Sequence, residues 1–299
     1  MSISIQNLTK DYSGNIALKN INIEIPRGEI FGLIGQNGAG KTTLVKIILG
    51  FSKASSGEVR ILEEKNSVIL RKRIGYLPEK VVIHPFLNPV EFLNFTGRLC
   101  FLERNFLKTA IPEVLERVGL IDKQKEKIGN FSKGMTQRLG LAQAILHKPE
   151  ILLLDEPGSG LDPSGLIDLR NIILEENKNQ KTTIFLNSHR LMEAEKLCNR
   201  IAILHKGELV ASGSMDELTK KKNQISIQLE SISGEVEVYL KSISKNFSMQ
   251  EKMILIEPKE DTEVRTIPKK LIDLNASILR YEIQNEDLEE VFLRVTGSK

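Results

Sequence analysis

Nine consecutive residues carry the clearest chemistry in this chain: Gly35, Gln36, Asn37, Gly38, Ala39, Gly40, Lys41, Thr42 and Thr43. They match G-x-x-x-x-G-K-[ST] at every defined position. Gly38 and Gly40 let the backbone wrap closely around an anion, where a Cβ would clash or forbid positive φ. Lys41 supplies a charge for the β- and γ-phosphates, and Thr42 a hydroxyl for magnesium. The spacing therefore predicts a cradle for nucleotide phosphates. Alone it does not say which machine uses it, since kinases, GTPases, helicases and transport ATPases share it.

Further candidates follow in a set order. Asp155 and Glu156 end the apolar run Ile151–Leu154. One carboxylate there suits a magnesium-bound water, and the next can polarise an attacking water, the two tasks of phosphoryl hydrolysis. His189 ends a second apolar run, Thr183–Leu186, and is expected beside Glu156 within reach of a γ-phosphate. Ser132 is a good N-cap for a helix striped by Met135, Leu139, Ala142 and Ile145, and with Gly134 it offers a second helix N-terminus to an anion. Asp162 closes the turn that follows Glu156. His84, His147 and His205 lie next to turns or helix ends and are read as packing residues.

The elements that must position these residues are legible in part. Ile30–Ile34 reads as a buried strand leading into the cradle, and Leu44–Leu49 as the apolar face of the helix after it. Strands with no apolar–polar alternation, as at 151–154 and 183–186, belong in a mostly parallel sheet covered on both faces. Such sheets bind ligands at the carboxyl ends of their strands. Residues 2–25 read as paired strands, 85–129 as a helical insertion with Phe92, Phe95, Leu99 and Leu102 in register, and 201–211 as a hairpin. Ser214 to Glu217 fits a capping box opening a short helix. Thr219–Asn223 is polar and reads as a boundary. Beyond it, short alternating segments at 225–229, 236–240, 253–256 and 278–283, then a helix from Leu288 to Val295, suggest a small α+β domain. The expected division is 1–222 and 223–299, with a helical subdomain at about 85–150. The expected class is α/β: a phosphate-loop NTPase core with a mostly parallel sheet, an N-terminal antiparallel β subdomain, the helical insertion and the C-terminal α+β domain.

Bulk properties narrow the classes. A length of 299 residues suits one large domain or two ordinary ones. A net charge of +3 gives no electrostatic case for nucleic acid, which wants a concentrated basic face. Cys100 and Cys198 lie in no metal-ligand spacing and read as reduced, buried small hydrophobes. Asn7, Lys10 and Asp11 interrupt any leader-like stretch, and no run approaches the ~20 apolar residues of a membrane span. Another chain is expected to supply any membrane part.

Taken together, the motifs resemble those of the nucleotide-binding subunit of ABC transporters. Residues 35–43 look like its Walker A, 151–157 like its Walker B with the catalytic glutamate, 159–163 like its D-loop and Asn187–His189 like its switch histidine. Phe131–Ala142 looks like the family signature. Tyr12 sits where the family has an aromatic that stacks on adenine, and Ile74–Glu79 where it has the Q-loop. The likeness spans roughly residues 2–220. It implies ATP and magnesium as cofactors, with residues 35–43, Tyr12 and Asp155 on the nucleotide, Thr42, Asp155 and Glu79 on the metal, and Glu156 and His189 catalytic. It further implies a homodimer, or a paired ATPase subunit, with ATP at the interface contacted in trans by Ser132, Lys133, Gly134, Met135 and Asp162.

Three positions in two motifs depart from the family pattern. The signature carries Lys133 for glycine and Met135 for glutamine, and the Q-loop carries Glu79 for glutamine. Both variants, and the ending Asn285–Gly297, resemble the branch that powers export-type permeases. The resemblance thus implies an ATPase on the cytoplasmic face of the membrane, driving a separate transmembrane permease that exports a drug, ion, lipid or peptide. The alternative is a non-transport ABC ATPase acting on ribosomes or DNA. Those relatives carry two nucleotide domains, or long insertions and zinc fingers, and this chain has one phosphate loop and no cysteine cluster.

Overall fold

The computed structural model describes residues 1–65, 67–219, 224–259, 264–284 and 286–297. They form two compact units, 1–215 and 216–299. Of the polar stretch read as a boundary, residues 220–223 lie outside the described residues, as does Asn285 of the terminal motif.

The first unit opens with β1 (Ile3–Tyr12) and β2 (Asn15–Ile25), an antiparallel pair in which Ile3 faces Ile25 and Ile5 faces Ile23. Then come β3 (Ile30–Ile34), α1 (Lys41–Ile48), β4 (Ser56–Ile61), the two-residue β5 (Glu64–Lys65) and β6 (Ile74–Leu77). The helical insertion is α2 (Pro89–Leu99), α3 (Arg104–Arg117) and α4 (Lys133–Ile145). The chain returns through β7 (Ile151–Asp155), α5 (Pro163–Gln180), β8 (Thr183–Ser188), α6 (Leu191–Leu197), β9 (Arg200–His205) and β10 (Glu208–Ser214), and α7 (Met215–Thr219) begins at the boundary between the units.

Two sheets result. One is antiparallel with order β2-β1-β4-β5; the other runs β10-β9-β3-β8-β7-β6, parallel except for the β10 edge. Alternate residues of the six-stranded sheet, among them Phe31, Leu33, Leu153, Phe185 and Leu204, pack with Leu44, Val45 and Ile48 of α1 and with the isoleucines of β1 and β2. The Phe31 and Phe185 rings meet at 5.6 Å. On the opposite face Gly32, Ile34, Leu152, Leu154, Ile184 and Leu186 are buried too, where α4 packs on β6 and α6 on β3 and β8. A sheet covered on both faces explains the uninterrupted apolar runs.

The second unit contains β11 (Gln224–Leu229), α8 (Gly234–Ile243), β12 (Ser244–Gln250), β13 (Met253–Pro258), α9 (Ile267–Asp273), β14 (Ile278–Gln284) and α10 (Leu288–Thr296). Its sheet is antiparallel, with order β12-β13-β11-β14.

Three expectations are corrected. Residues 236–240, read as alternating and strand-like, lie in α8: Ser233 caps it by accepting from the Val236 amide, and Val236 and Leu240, four apart, both enter the core. Cys100 is exposed, at the C-terminal end of α2, and only Cys198 is buried; both are free thiols. Of the α2 stripe, Phe92 is buried while Phe95 and Leu99 face outward, because Leu93 and Gly97 complete the buried face.

Candidate active site

The cradle forms where β3 runs into α1. Gly40, at φ +107°, is the N-cap, and no side chain caps this helix, so its first amides are left for a ligand. A Cβ at Gly40 would stand 2.5 Å from the Ala17 carbonyl, so position and backbone angle both demand glycine. Lys41 is only 6 % exposed. Its Nζ donates to the carbonyls of Gly35 at 2.7 Å and Gln36 at 3.2 Å, and lies 3.9 Å from Glu156 Oε1. Burial pulls the Lys41 pKa below the ordinary lysine value against the opposing pull of Glu156 and Asp155.

A cavity of 280 Å³ opens over this loop, lined by Ala17, Asn37, Gly38, Gly40, Lys41, Thr42, Thr43, Glu79, Glu156 and His189. It brings together the phosphate loop, Glu156, His189 and Glu79. A larger cavity of 580 Å³ sits among Arg27, Gly28, Lys148, Glu150 and Lys181. It lies at the amino ends of the strands, where helix C-termini offer carbonyls and not amides, so the phosphate chemistry belongs to the smaller cavity.

The ends of β7 and β8 are laced together. Asn187 Nδ2 donates to Asp155 Oδ1 at 2.5 Å, the Glu156 amide to the Asn187 carbonyl at 2.9 Å, and Arg190 Nη1 to the Gly158 carbonyl at 3.0 Å. His189 Nδ1 stands 2.8 Å from Glu156 Oε2. Glu156 itself holds φ +47°, a left-handed backbone that costs of order 1–3 kcal/mol for a residue other than glycine and clusters at functional sites. Asp155 is buried, and its pKa is raised, first by burial and then by the charges of Glu156 and Glu79, against lowering by the Asn187 bond and Lys41. The Tyr76 phenol is pushed up to about 12 by burial, by the Asp155 charge and by its hydrogen bond to Asp155.

The remaining candidates lie apart from the cavity lining. Tyr12 is exposed at the β1–β2 turn, with Lys10 Nζ 4.5 Å over its ring. Ser132 caps α4 by accepting from the Met135 amide. Lys133 Nζ lies against Gly160, and Leu161 against Gly134, so the head of α4 and the turn after Glu156 meet within one chain. Asp162 caps α5, accepting from Ser164 Oγ and the Gly165 amide, and these bonds, that of Ser164 first, lower its pKa. Sequence reasoning missed Ala17, Tyr76, Asn187 and Arg190. Asn187 carried a usable signal, a polar residue in a buried apolar strand like Asp155; the others carried none.

Among the described residues no group of three or more His, Cys, Asp or Glu could hold a metal by itself, and no helix is long and apolar enough to cross a membrane.

The family model described as "ABC transporter" matches residues 18–159. An uncharacterized ABC transporter ATP-binding protein of Nostoc sp. is 45 % identical over 216 residues, covering 71 % of this chain and 64 % of that protein, so the match spans just under two thirds of this relative. The bacitracin transport ATP-binding protein BcrA of Bacillus licheniformis is 34 % identical, over 99 % of this chain and 97 % of that protein. Among solved structures, a dimeric ATP-binding cassette in a post-hydrolysis state, bound to ADP and Pi, superimposes with a TM-score of 0.64 at 26 % identity, covering 71 % of this chain and 98 % of that one.

Proposed function

The chain belongs to the ATP-binding proteins of ABC transporters, and from that premise we propose that Glu156 is the base of an ATPase site that two chains complete and that drives a separate permease. The observation that carries this reading is the convergence on Glu156. Its two carboxylate oxygens face Lys41 and His189 at the mouth of the phosphate cradle. A carboxylate so placed takes the proton of an attacking water, and His189 fixes the orientation of the carboxylate and meets the γ-phosphate.

The donor set fits magnesium. The Thr42 hydroxyl lines the cavity, and Asp155 is a buried carboxylate whose charge is opposed by Glu156 and Glu79. Such a cluster is short of positive charge. Magnesium is typically held by one or two carboxylates plus substrate phosphates, not by an all-protein cage. Thr42 and Asp155 would hold it, with Glu79 as a further oxygen. When bound, it neutralises charge developing on the phosphoryl oxygens.

Ser132, Lys133, Gly134, Met135 and Asp162 serve the site of the opposite chain. Their position outside the lining of their own cavity supports this. A capped helix N-terminus aimed at a γ-phosphate is most useful when it comes from a second subunit, so that ATP holds the two chains together and hydrolysis frees them. Tyr12 stacks on the adenine. The segment from Glu79 through α2 docks the permease on the cytoplasmic face, which the outward Val82, Phe86, Phe95 and Leu99 support. The cargo is exported, and a drug or peptide is the class that the name of the bacitracin relative suggests.

Magnesium-dependent phosphate release by the purified chain tests the reading. Wild-type turnover that disappears in Lys41→Ala is expected. Turnover that survives in Lys41→Ala would assign the hydrolysis elsewhere.

A further inference from the structure

We propose that Arg190 is a positioning residue for Glu156, acting through the carbonyl of Gly158. This rests on Glu156 being the base and adds the part that holds it. The turn after Glu156 is built on two backbone bonds, Ser159 amide to Glu156 carbonyl at 3.0 Å and Leu161 amide to Gly158 carbonyl at 3.3 Å. The Gly158 carbonyl also accepts from Arg190 Nη1 at 3.0 Å. That third bond is the side-chain tie between this turn and the β8 end. It comes from the residue next to His189, which itself contacts Glu156.

The tie is restrained from both sides. The Arg190 amide donates to Ser188 Oγ at 3.0 Å, and its carbonyl accepts from Ala194, which anchors the backbone at the start of α6. Arg190 and Gly158 line one small cavity together with Leu166, Leu169, Leu186 and Leu197, and with Arg170 and Glu193. The Arg190 bond to Gly158 is part-buried, and partial removal from water raises the value of a hydrogen bond. A Cβ at Gly158 would stand 2.6 Å from Leu166 Cδ2, so the backbone is packed closely at the accepting carbonyl. Glu156 needs such a restraint, because its left-handed backbone persists only where the surroundings over-determine it. Arg190 and His189 thus grip the two sides of one strained residue, the first by the peptide two positions on and the second by the carboxylate.

Arg190→Met tests this. It keeps an unbranched apolar stem of similar length and removes the donor. The expected result is a fall in kcat of about 10- to 100-fold, the scale of losing one charge-assisted hydrogen bond that orients a catalytic group. ATP affinity should stay within about threefold, since the cradle is untouched. Arg190→Lys, which keeps one donor, should recover part of the loss. On a Glu156→Gln background Arg190→Met should add no further loss, because a residue acting only through Glu156 has nothing left to position. Wild-type turnover in Arg190→Met, or a full independent loss on the Glu156→Gln background, would overturn the proposal. Undiminished turnover in Glu156→Gln alone would instead remove the reading beneath it, so the two failures are distinct. Thermal midpoints recorded on each variant separate lost positioning from lost folding; a loss of turnover that tracks a falling midpoint and is not relieved by Arg190→Lys also counts against it.

Discussion

Glu156→Gln should leave ATP binding intact and slow hydrolysis by at least ~100-fold. The substitution keeps volume and shape at a residue that is 8 % exposed, so no cavity opens beneath it. What it removes is the proton acceptor: an amide cannot take a proton from water, and a positioned base typically contributes 10²–10⁴ in rate, about 2.7–5.4 kcal/mol of barrier. Binding draws on other groups. The unfilled amides of α1 and the Lys41 ammonium meet the phosphates, and Lys41 keeps its bonds to the Gly35 and Gln36 carbonyls without Glu156. Removing a negative charge from a cavity that receives an anion favours binding, so the nucleotide Kd should hold or tighten. With ATP retained and not cleaved, the variant should accumulate as a dimer. Phosphate release, equilibrium binding of a labelled nucleotide, and sedimentation with and without magnesium-ATP measure the three quantities. Turnover within threefold of wild type, or binding that collapses with turnover, would refute the assignment of Glu156 as base.

Three further outcomes are expected. Ser132→Ala should lower turnover and ATP-driven dimerisation while the monomer binds nucleotide normally; it also loses the α4 cap, at roughly 1 kcal/mol of stability seen as a lower thermal midpoint. Asp155 has a folded pKa raised above its unfolded value, so the folded state holds the proton more tightly and the nucleotide-free protein should lose stability as pH rises from the unfolded pKa through the folded one. Asp155→Asn should flatten that dependence in denaturation curves taken at several pH values, and should abolish magnesium-dependent hydrolysis. In the native protein an alkylating reagent should modify Cys100 at once and Cys198 only on unfolding, since Cys198 is buried and its thiol is pushed up to about 12 by burial; mass spectrometry of the two peptides reads this directly.

How much of this was legible depended on whether the signal was local. The strands beneath the site announce themselves because burial on both faces gives them uninterrupted apolar runs, Ile151–Leu154 and Ile184–Leu186, with Asp155, Asn187 and Ser188 at their carboxyl ends. The phosphate loop is local too: glycine at 40 answers a backbone angle and a nearby carbonyl. Residues 236–240 misled because Val-Glu-Val alternates, yet the cap at Ser233 and the four-residue spacing of Val236 and Leu240 decide for helix. Strand β12 was missed for the opposite reason: it is an edge, mostly exposed, and its pairing with β13 rather than any apolar pattern defines it. The Arg190 bond to Gly158 joins residues 32 positions apart across two strand ends, and no periodicity encodes such a contact.

On the proposed reading the site that the sequence announces is half a site, and the two halves are neighbours within each chain. The turn that begins at Glu156 runs directly to Gly160 and Leu161, and these lie against Lys133 and Gly134 at the head of α4. On the proposed reading, the first end of that turn serves the ATP of its own chain and the second serves the ATP of its partner. About four residues therefore separate Glu156 from the surface proposed to hold the other nucleotide. The two resident loops need no long relay, because backbone bonds and one arginine tie them into a single piece. Lys133, where the family has glycine, belongs to this contact: its ammonium is the atom that touches Gly160. On the proposed reading this departure from the family pattern falls at the joint between an own-site element and a partner-site element.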